Sequence, residues 1–216
     1  MHPSHPSVRY AGVALAAAGA LTIVVNAIVT PTLPRGVPFA DVAASTPFLI
    51  RQSLAALAAI LLMFGCVGLH LRQMDSVGRF GAIAFVLAFS GTALLLGVEW
   101  TQIFEVRDMA LREPEALNRL DAGGLSRADI GAMIALAALV VGWLAFAIST
   151  LKAGVLPRRA VWLVVAGLFA TPFLSAVMPP LVAAALGNVV LGSGWIWLGF
   201  DLMTAQPAAT ERLTRA

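Results

Sequence analysis

The chain has 216 residues, 60% of them hydrophobic and 12% charged, with a mean hydropathy of +0.90; a soluble domain carries roughly 25% charged residues. No soluble fold of this length buries so much apolar surface. The net charge of +3 comes from short loops beside apolar runs and not from a Lys/Arg-rich tract, which argues against nucleic acid as a partner and for membrane topology as the cause.

Six apolar runs are expected to form helices, at about 10–30, 48–71, 80–102, 130–151, 160–177 and 181–202. Each approaches or exceeds the ~20 residues that span ~30 Å of hydrocarbon at ~1.5 Å per residue. The first follows a segment with Arg9 as its only Lys or Arg and lacks a small-residue cleavage site, so it reads as a retained span. Within it Gly12, Ala16 and Ala20 recur every four residues, a helix-packing pattern, and Gly19, Thr22, Asn26 and Thr30 share one helical face. The Pro-rich stretch after it reads as an irregular cap with a turn of helix. The second run opens with Arg51 and Gln52 and closes with His70; Arg72 to Arg79 ties it to the third, which ends in Glu99, Trp100 and Gln102.

The connection 104–127 is expected to hold a short helix beginning at Pro114, a residue suited to the first helical position, and stopped by Gly123-Gly124. Ser126-Arg127-Ala128-Asp129 then reads as a capping box for the fourth run. In the fifth, Pro172 predicts a bend, since it removes an amide and crowds the carbonyl of Leu168. Met178-Pro179-Pro180 leaves room only for a tight hairpin into the sixth run, which carries Ala183, Gly187 and Asn188. The tail 205–216 reads as disordered. The whole chain is thus expected to be one all-α domain, a polytopic six-helix membrane bundle.

Depth bookkeeping brings the polar residues together. Arg79 to Glu99 is twenty residues, about 30 Å of helix, and Arg51 precedes His70 by nineteen. With Asn26 and Asn188, four polar side chains from four runs reach one leaflet, flanked by Gln52 and Gln102. Each charge is costly alone in hydrocarbon and less so as a pair, so Arg51 and Glu99 are the candidate ion pair of a polar pocket. The competing reading has both residues snorkelling independently to the headgroups. Trp100, Trp162, Trp195 and Trp197 are placed as interfacial anchors, and Trp143 deeper.

Several chemistries are excluded. Cys66 is the sole cysteine, so an intrachain disulfide, a thiol relay and a cysteine metal cluster have no partner residues. His2 and His5 lie at the terminus and His70 at a helix end, which leaves no histidine pair for haem and no cluster for zinc. Ser193 between glycines has no deep histidine to activate it, and Lys152 is not mid-span. No catalytic residue, cofactor or metal is expected.

Lys and Arg number eight on the side of the termini (Arg9, Arg72, Arg79, Lys152, Arg158, Arg159, Arg212, Arg215) and six on the other. The basic short loops put both termini in the cytoplasm by the positive-inside bias. The dominance of Arg, Ala and Gly points to a bacterial inner membrane. Arg51 opening the second run, Gly68-Leu69-His70-Leu71 closing it, and Gly187-Asn188 followed by Trp197-Leu198-Gly199 make the chain resemble uncharacterised bacterial six-helix integral membrane proteins. That resemblance implies membership of a family of unknown function, with no catalytic residues to carry over. The expected role is a non-enzymatic binding or accessory protein of the lipid bilayer, with an outer-leaflet pocket for a lipid, a small amphiphile or a membrane protein partner. A small secondary transporter coupled through Glu99 is the alternative, and an intramembrane enzyme the third.

Overall fold

The computed structural model describes residues 5–124 and 126–204, and these are all-helical in architecture, without strands. Helix α1 (His5–Ile23) continues through a π-helical turn (Val24–Val29) and a 3-10 turn (Thr30–Thr32). The short α2 (Phe39–Ala44) precedes α3 (Thr46–Thr101), which runs into a second π-helical turn (Gln102–Val106) and α4 (Arg107–Arg112). Helices α5 (Pro114–Ala122), α6 (Arg127–Ala153), α7 (Arg158–Leu174) and α8 (Pro180–Thr204) complete the order. The expected disordered tail 205–216 lies outside the described residues, as does His2.

Among the described residues, four stretches are long and apolar enough to cross a membrane: Ser7–Thr32, Thr46–Arg112, Asp129–Ala153 and Pro180–Thr204. The six expected runs differ from this count at two places. The second and third fall in one stretch because two helices abut at Gly78, inside Arg72–Arg79, with no loop between them. The fifth corresponds to α7, whose 17 residues give about 25 Å of helix, less than the hydrocarbon thickness.

Helix α3 doubles back on itself at Gly78, whose φ of 57° and ψ of −154° lie in a region that only glycine adopts without strain. Arg51 and Glu99 would be about 70 Å apart along a straight helix, yet their side chains approach to 3.4 Å. Across the same fold-back His70 stacks on Phe85 with ring centroids 4.3 Å apart. The two arms, 46–77 and 79–101, are therefore antiparallel neighbours.

With these arms the helices close into a ring, and close-packed glycines mark its seams. On α1 and α8, a Cβ added at Gly12 would lie 2.7 Å from the Gly199 carbonyl oxygen, and one at Gly19 2.5 Å from that of Gly192. Gly65 and Gly68 seat Leu15 and Ala11 where α1 meets the first arm; Gly91 and Gly142 do so between the second arm and α6; Gly167 meets Leu191 between α7 and α8. Where lipid supplies no hydrophobic driving force, such close backbone approach is what holds helices together. The α6–α7 seam has no such glycine and is the thinnest in the ring. The expected Gly12, Ala16, Ala20 stripe is corrected at its last member: Ala20 is exposed and Gly19 faces α8 instead, because the crossing of α8 sets which side of α1 is inside.

Two cores result. Leu15, Cys66, Leu69, Trp143, Phe146 and Leu202 fill the bundle toward the Gly78 end. At the opposite end α2, α4 and α5 form a cap with its own small core of Ala40, Ala43, Phe48, Ala110 and Leu117. The Asn118 side chain accepts the Ala40 N–H at 2.9 Å, and the Arg107 guanidinium donates to the carbonyls of Ala43 (3.3 Å) and Ser45 (2.8 Å) at the end of α2. The short helix expected after Pro114 is α5, and the Ser126/Asp129 capping box forms reciprocally.

Outside, the helices present apolar side chains, among them Phe64, Ile83, Ile134, Val141 and Phe173. A soluble monomer seldom exposes so continuous an apolar surface. Pro172 sits in the last turn of α7, which stops two residues later; hydrogen-bonded turns carry the chain over Ser175–Met178 to α8. The proline thus lies two residues before the helix end.

Candidate functional site

The polar residues that five separate segments carry toward the cap end meet on one cavity of about 520 Å³. Thr22 and Asn26 come from α1 and its π-helical turn, Arg51 from the first arm of α3, Glu99 from the second, Thr171 from α7 and Asn188 from α8. The rest of the wall is apolar, including Leu62, Leu95, Leu139, Leu168, Pro172 and Trp195. From Arg51 to Leu62 the wall extends eleven residues along one helix, about 16 Å, so the cavity is charged near the cap and apolar at depth. All six helical segments of the ring contribute, among them both sides of the thin α6–α7 seam.

At the charged end, Arg51 Nη1 lies 3.4 Å from Glu99 Oε2 and also donates to Gln52 Oε1. Glu99 is 8% exposed and the Arg51 side chain 25%, so the carboxylate is the more deeply held partner. This is the sole ion pair of the bundle among the described residues; the other, Arg112 with Asp108, belongs to the cap. One 3.4 Å contact is a weak hold for two charges in low dielectric, where a pair is favourable only when its remaining donors and acceptors are satisfied. No other hydrogen bond to Glu99 is formed among the described residues, and Arg51 Nη2 and Nε likewise have none.

The two asparagines have fixed orientations. Asn26 Nδ2 donates to the Thr22 carbonyl and Asn188 Nδ2 to the Ala184 carbonyl, each at 2.9 Å. A carbonyl accepts only from the NH₂ end of an amide, so each Oδ1 is the end left without a partner. Thr22 Oγ1 spends its hydrogen on Ala18 O. The Pro172 ring supplies no N–H to the Leu168 carbonyl, the usual i−4 partner, and both residues line the cavity.

Gln52 and Gln102 stand apart from the wall. Gln52 is buried at 4% exposure and serves as the brace of Arg51. Gln102 begins the second π-helical turn, and its Oε1 is buried without a hydrogen-bond partner. Each π-helical turn adjoins the charged end, one holding Asn26 and the other following Glu99 within three residues; such turns re-aim side chains and recur at functional sites. The sequence carries no sign of them. Thr171, Leu168 and Trp195 are the other lining residues that sequence reading did not assign. Trp195, expected as an interfacial anchor, is 3% exposed and packs on Trp143 with centroids 5.4 Å apart. Trp143 in turn donates to Thr92 Oγ1 at 3.1 Å, whereas Trp100 and Trp162 are exposed as an anchor requires.

No three His, Cys, Asp or Glu side chains gather to hold a metal ion among the described residues. Among the described residues the lining holds no Ser, Cys or Lys, and its hydroxyls are those of Thr22 and Thr171. The arrangement can bind, orient and exclude water. No family model, curated protein or solved structure matches the chain.

Proposed function

We propose that the chain is a six-crossing protein of a bacterial inner membrane, with both termini cytoplasmic, that binds one amphipathic molecule in the cavity from the outer leaflet. Counting the two arms of α3 separately and admitting the short α7 gives six crossings. The 17-residue α7 is continued at its outer end by the Ser175–Met178 turns, so the helix alone need not match the full bilayer thickness. The basic loops around Lys152 to Arg159 and Arg72 to Arg79 support a cytoplasmic Gly78 end. The observation that carries the binding role is the cavity's own polarity: a charge pair at one end, an apolar wall at the other, and two amide oxygens without a partner on the lining. Its volume falls within the ~300–1,000 Å³ of small-molecule sites.

The secondary-transport alternative needs a second opening toward the cytoplasm. Leu15, Cys66, Leu69, Phe146 and Leu202 occupy that half of the bundle, all nearly or fully buried, which favours a binding role. Filling the cavity tests it. Ala58 lines the wall and is itself buried, so Ala58→Phe puts a ring into the space. Native mass spectrometry of the detergent-purified protein is expected to show a single amphiphile adduct in the wild type that the variant loses while keeping its helicity. An adduct of equal occupancy in a folded Ala58→Phe protein would contradict the reading.

A further inference from the structure

The charged end of the cavity is unusual in carrying both signs at once with neither satisfied. Arg51 offers five N–H donors; only Nη1 is engaged, with Gln52 and Glu99. Glu99 receives one contact on Oε2, and Oε1 receives none among the described residues. Asn26 and Asn188 add two amide oxygens without a partner, since each Nδ2 spends one of its two N–H groups on a carbonyl of its own helix. The site therefore sets a cationic donor beside a carboxylate, with two amide oxygens on the same wall.

We propose that this end recognises a zwitterionic phosphoethanolamine headgroup, its anionic oxygens on Arg51 and its primary ammonium on Glu99 and the asparagine oxygens; this rests on the amphiphile-binding reading above. Charge balance selects the class. An anionic head would pair with Arg51 but lie against Glu99, a like charge in low dielectric; a cationic head would meet the reverse. A neutral polyol would leave both charges desolvated with the modest compensation of neutral hydrogen bonds. A zwitterion completes each partner with the opposite sign. Hydrogen bonding then selects the cation: a primary ammonium has three N–H donors for the three acceptors, and a quaternary ammonium has none.

Size and access agree. A cavity of about 520 Å³ is of the size that holds a small molecule, room for the head with part of a tail. The remainder needs a lateral way out, and the α6–α7 seam supplies it. Leu136 and Val140 of α6 and Leu168 of α7 line the cavity on either side of that seam, where no glycine draws the backbones together.

Lipids with identical tails and phosphoethanolamine, phosphocholine or phosphoglycerol heads, added to the full chain in detergent and counted by native mass spectrometry, test the assignment. Phosphoethanolamine is expected to bind at least tenfold more tightly than either of the others, and soluble O-phosphoethanolamine at equal concentration to compete poorly, because it lacks the tail. Competition by the soluble head as strong as by the lipid would overturn the lipid assignment. Glu99→Gln is expected to bring the phosphoethanolamine and phosphoglycerol affinities within threefold of each other, and Asn188→Leu to weaken discrimination against phosphocholine. These are ratios within one sample, so a variant that folds in reduced yield still reports. Adducts that Ala58→Phe blocks but that show no headgroup preference would overturn the headgroup inference while leaving cavity binding in place. Adducts indifferent to Ala58→Phe would remove both.

Discussion

Arg51 reaches Glu99 across the fold-back of one helix while its Nη1 also serves Gln52, so a single guanidinium ties both arms of α3 together at the cap end. Removing either charge strands the other. Truncating one member of a fully buried pair costs on the order of 3–5 kcal/mol, and because Arg51 keeps a quarter of its side chain exposed, a loss of about 2–3 kcal/mol is expected for Arg51→Met or Glu99→Gln. A double-mutant cycle in detergent should give a coupling of about 1–3 kcal/mol. Coupling near zero would mean two independent residues. Thr92→Val removes the acceptor of the Trp143 indole N–H, with both groups buried, and should cost about 1–3 kcal/mol, read as a lowered midpoint of thermal unfolding.

At the scale of elements, the glycines separate packing from flexibility. Gly19 touches the backbone of α8, whereas a Cβ at Gly97 would meet nothing within 4 Å. Gly19→Ala should therefore force the helices apart at a cost of about 1–3 kcal/mol, and Gly97→Ala should be neutral or stabilising by about 0.5–1 kcal/mol. Equal effects in a thermal-shift assay would remove glycine contact as the organiser of the seams. Gly78→Ala is costly for another reason: nothing crowds the position, but its φ of 57° strains any side chain by about 1–3 kcal/mol. The apolar runs, α5 with its Pro114 start and the Ser126/Asp129 cap were legible because each is written in local sequence. The π-helical turns were not, since Val24–Val29 is as apolar as an α-helical turn and its extra residue is placed by packing. The same shift explains Gln102, which the α-helical depth count put beside the charge pair but which lies off the cavity wall.

For the molecule as a whole, counting ~1.5 Å per residue from the basic ends was enough to bring Asn26, Arg51, Glu99 and Asn188 to one level, and all four line the cavity. That they share a wall and not merely a depth depends on which faces the ring turns inward, which hydropathy does not encode. Nor does it encode Thr171 or Trp195, whose wall positions follow from the α7–α8 packing. The proposed six crossings put Glu115 in the cap and Ala153 near the Lys152 loop on opposite sides of the membrane. In a Cys66→Ala background, an impermeant thiol reagent should label Glu115→Cys in intact cells and spare Ala153→Cys; the opposite pattern would reverse the orientation, and labelling at both would refute the crossing count.

An amphiphile held with its head at Arg51 and Glu99 is open to direct view in a structure of the full chain in lipid nanodiscs, determined by cryo-electron microscopy with a rigid binder fixed to the cap. Headgroup density is expected within hydrogen-bonding distance of the Arg51 guanidinium and the Glu99 carboxylate, with tail density along Leu62 and Leu139 that leaves between α6 and α7. A cavity closed by side-chain collapse onto Trp195, or one filled with ordered water continuous with the outer aqueous phase, would contradict it.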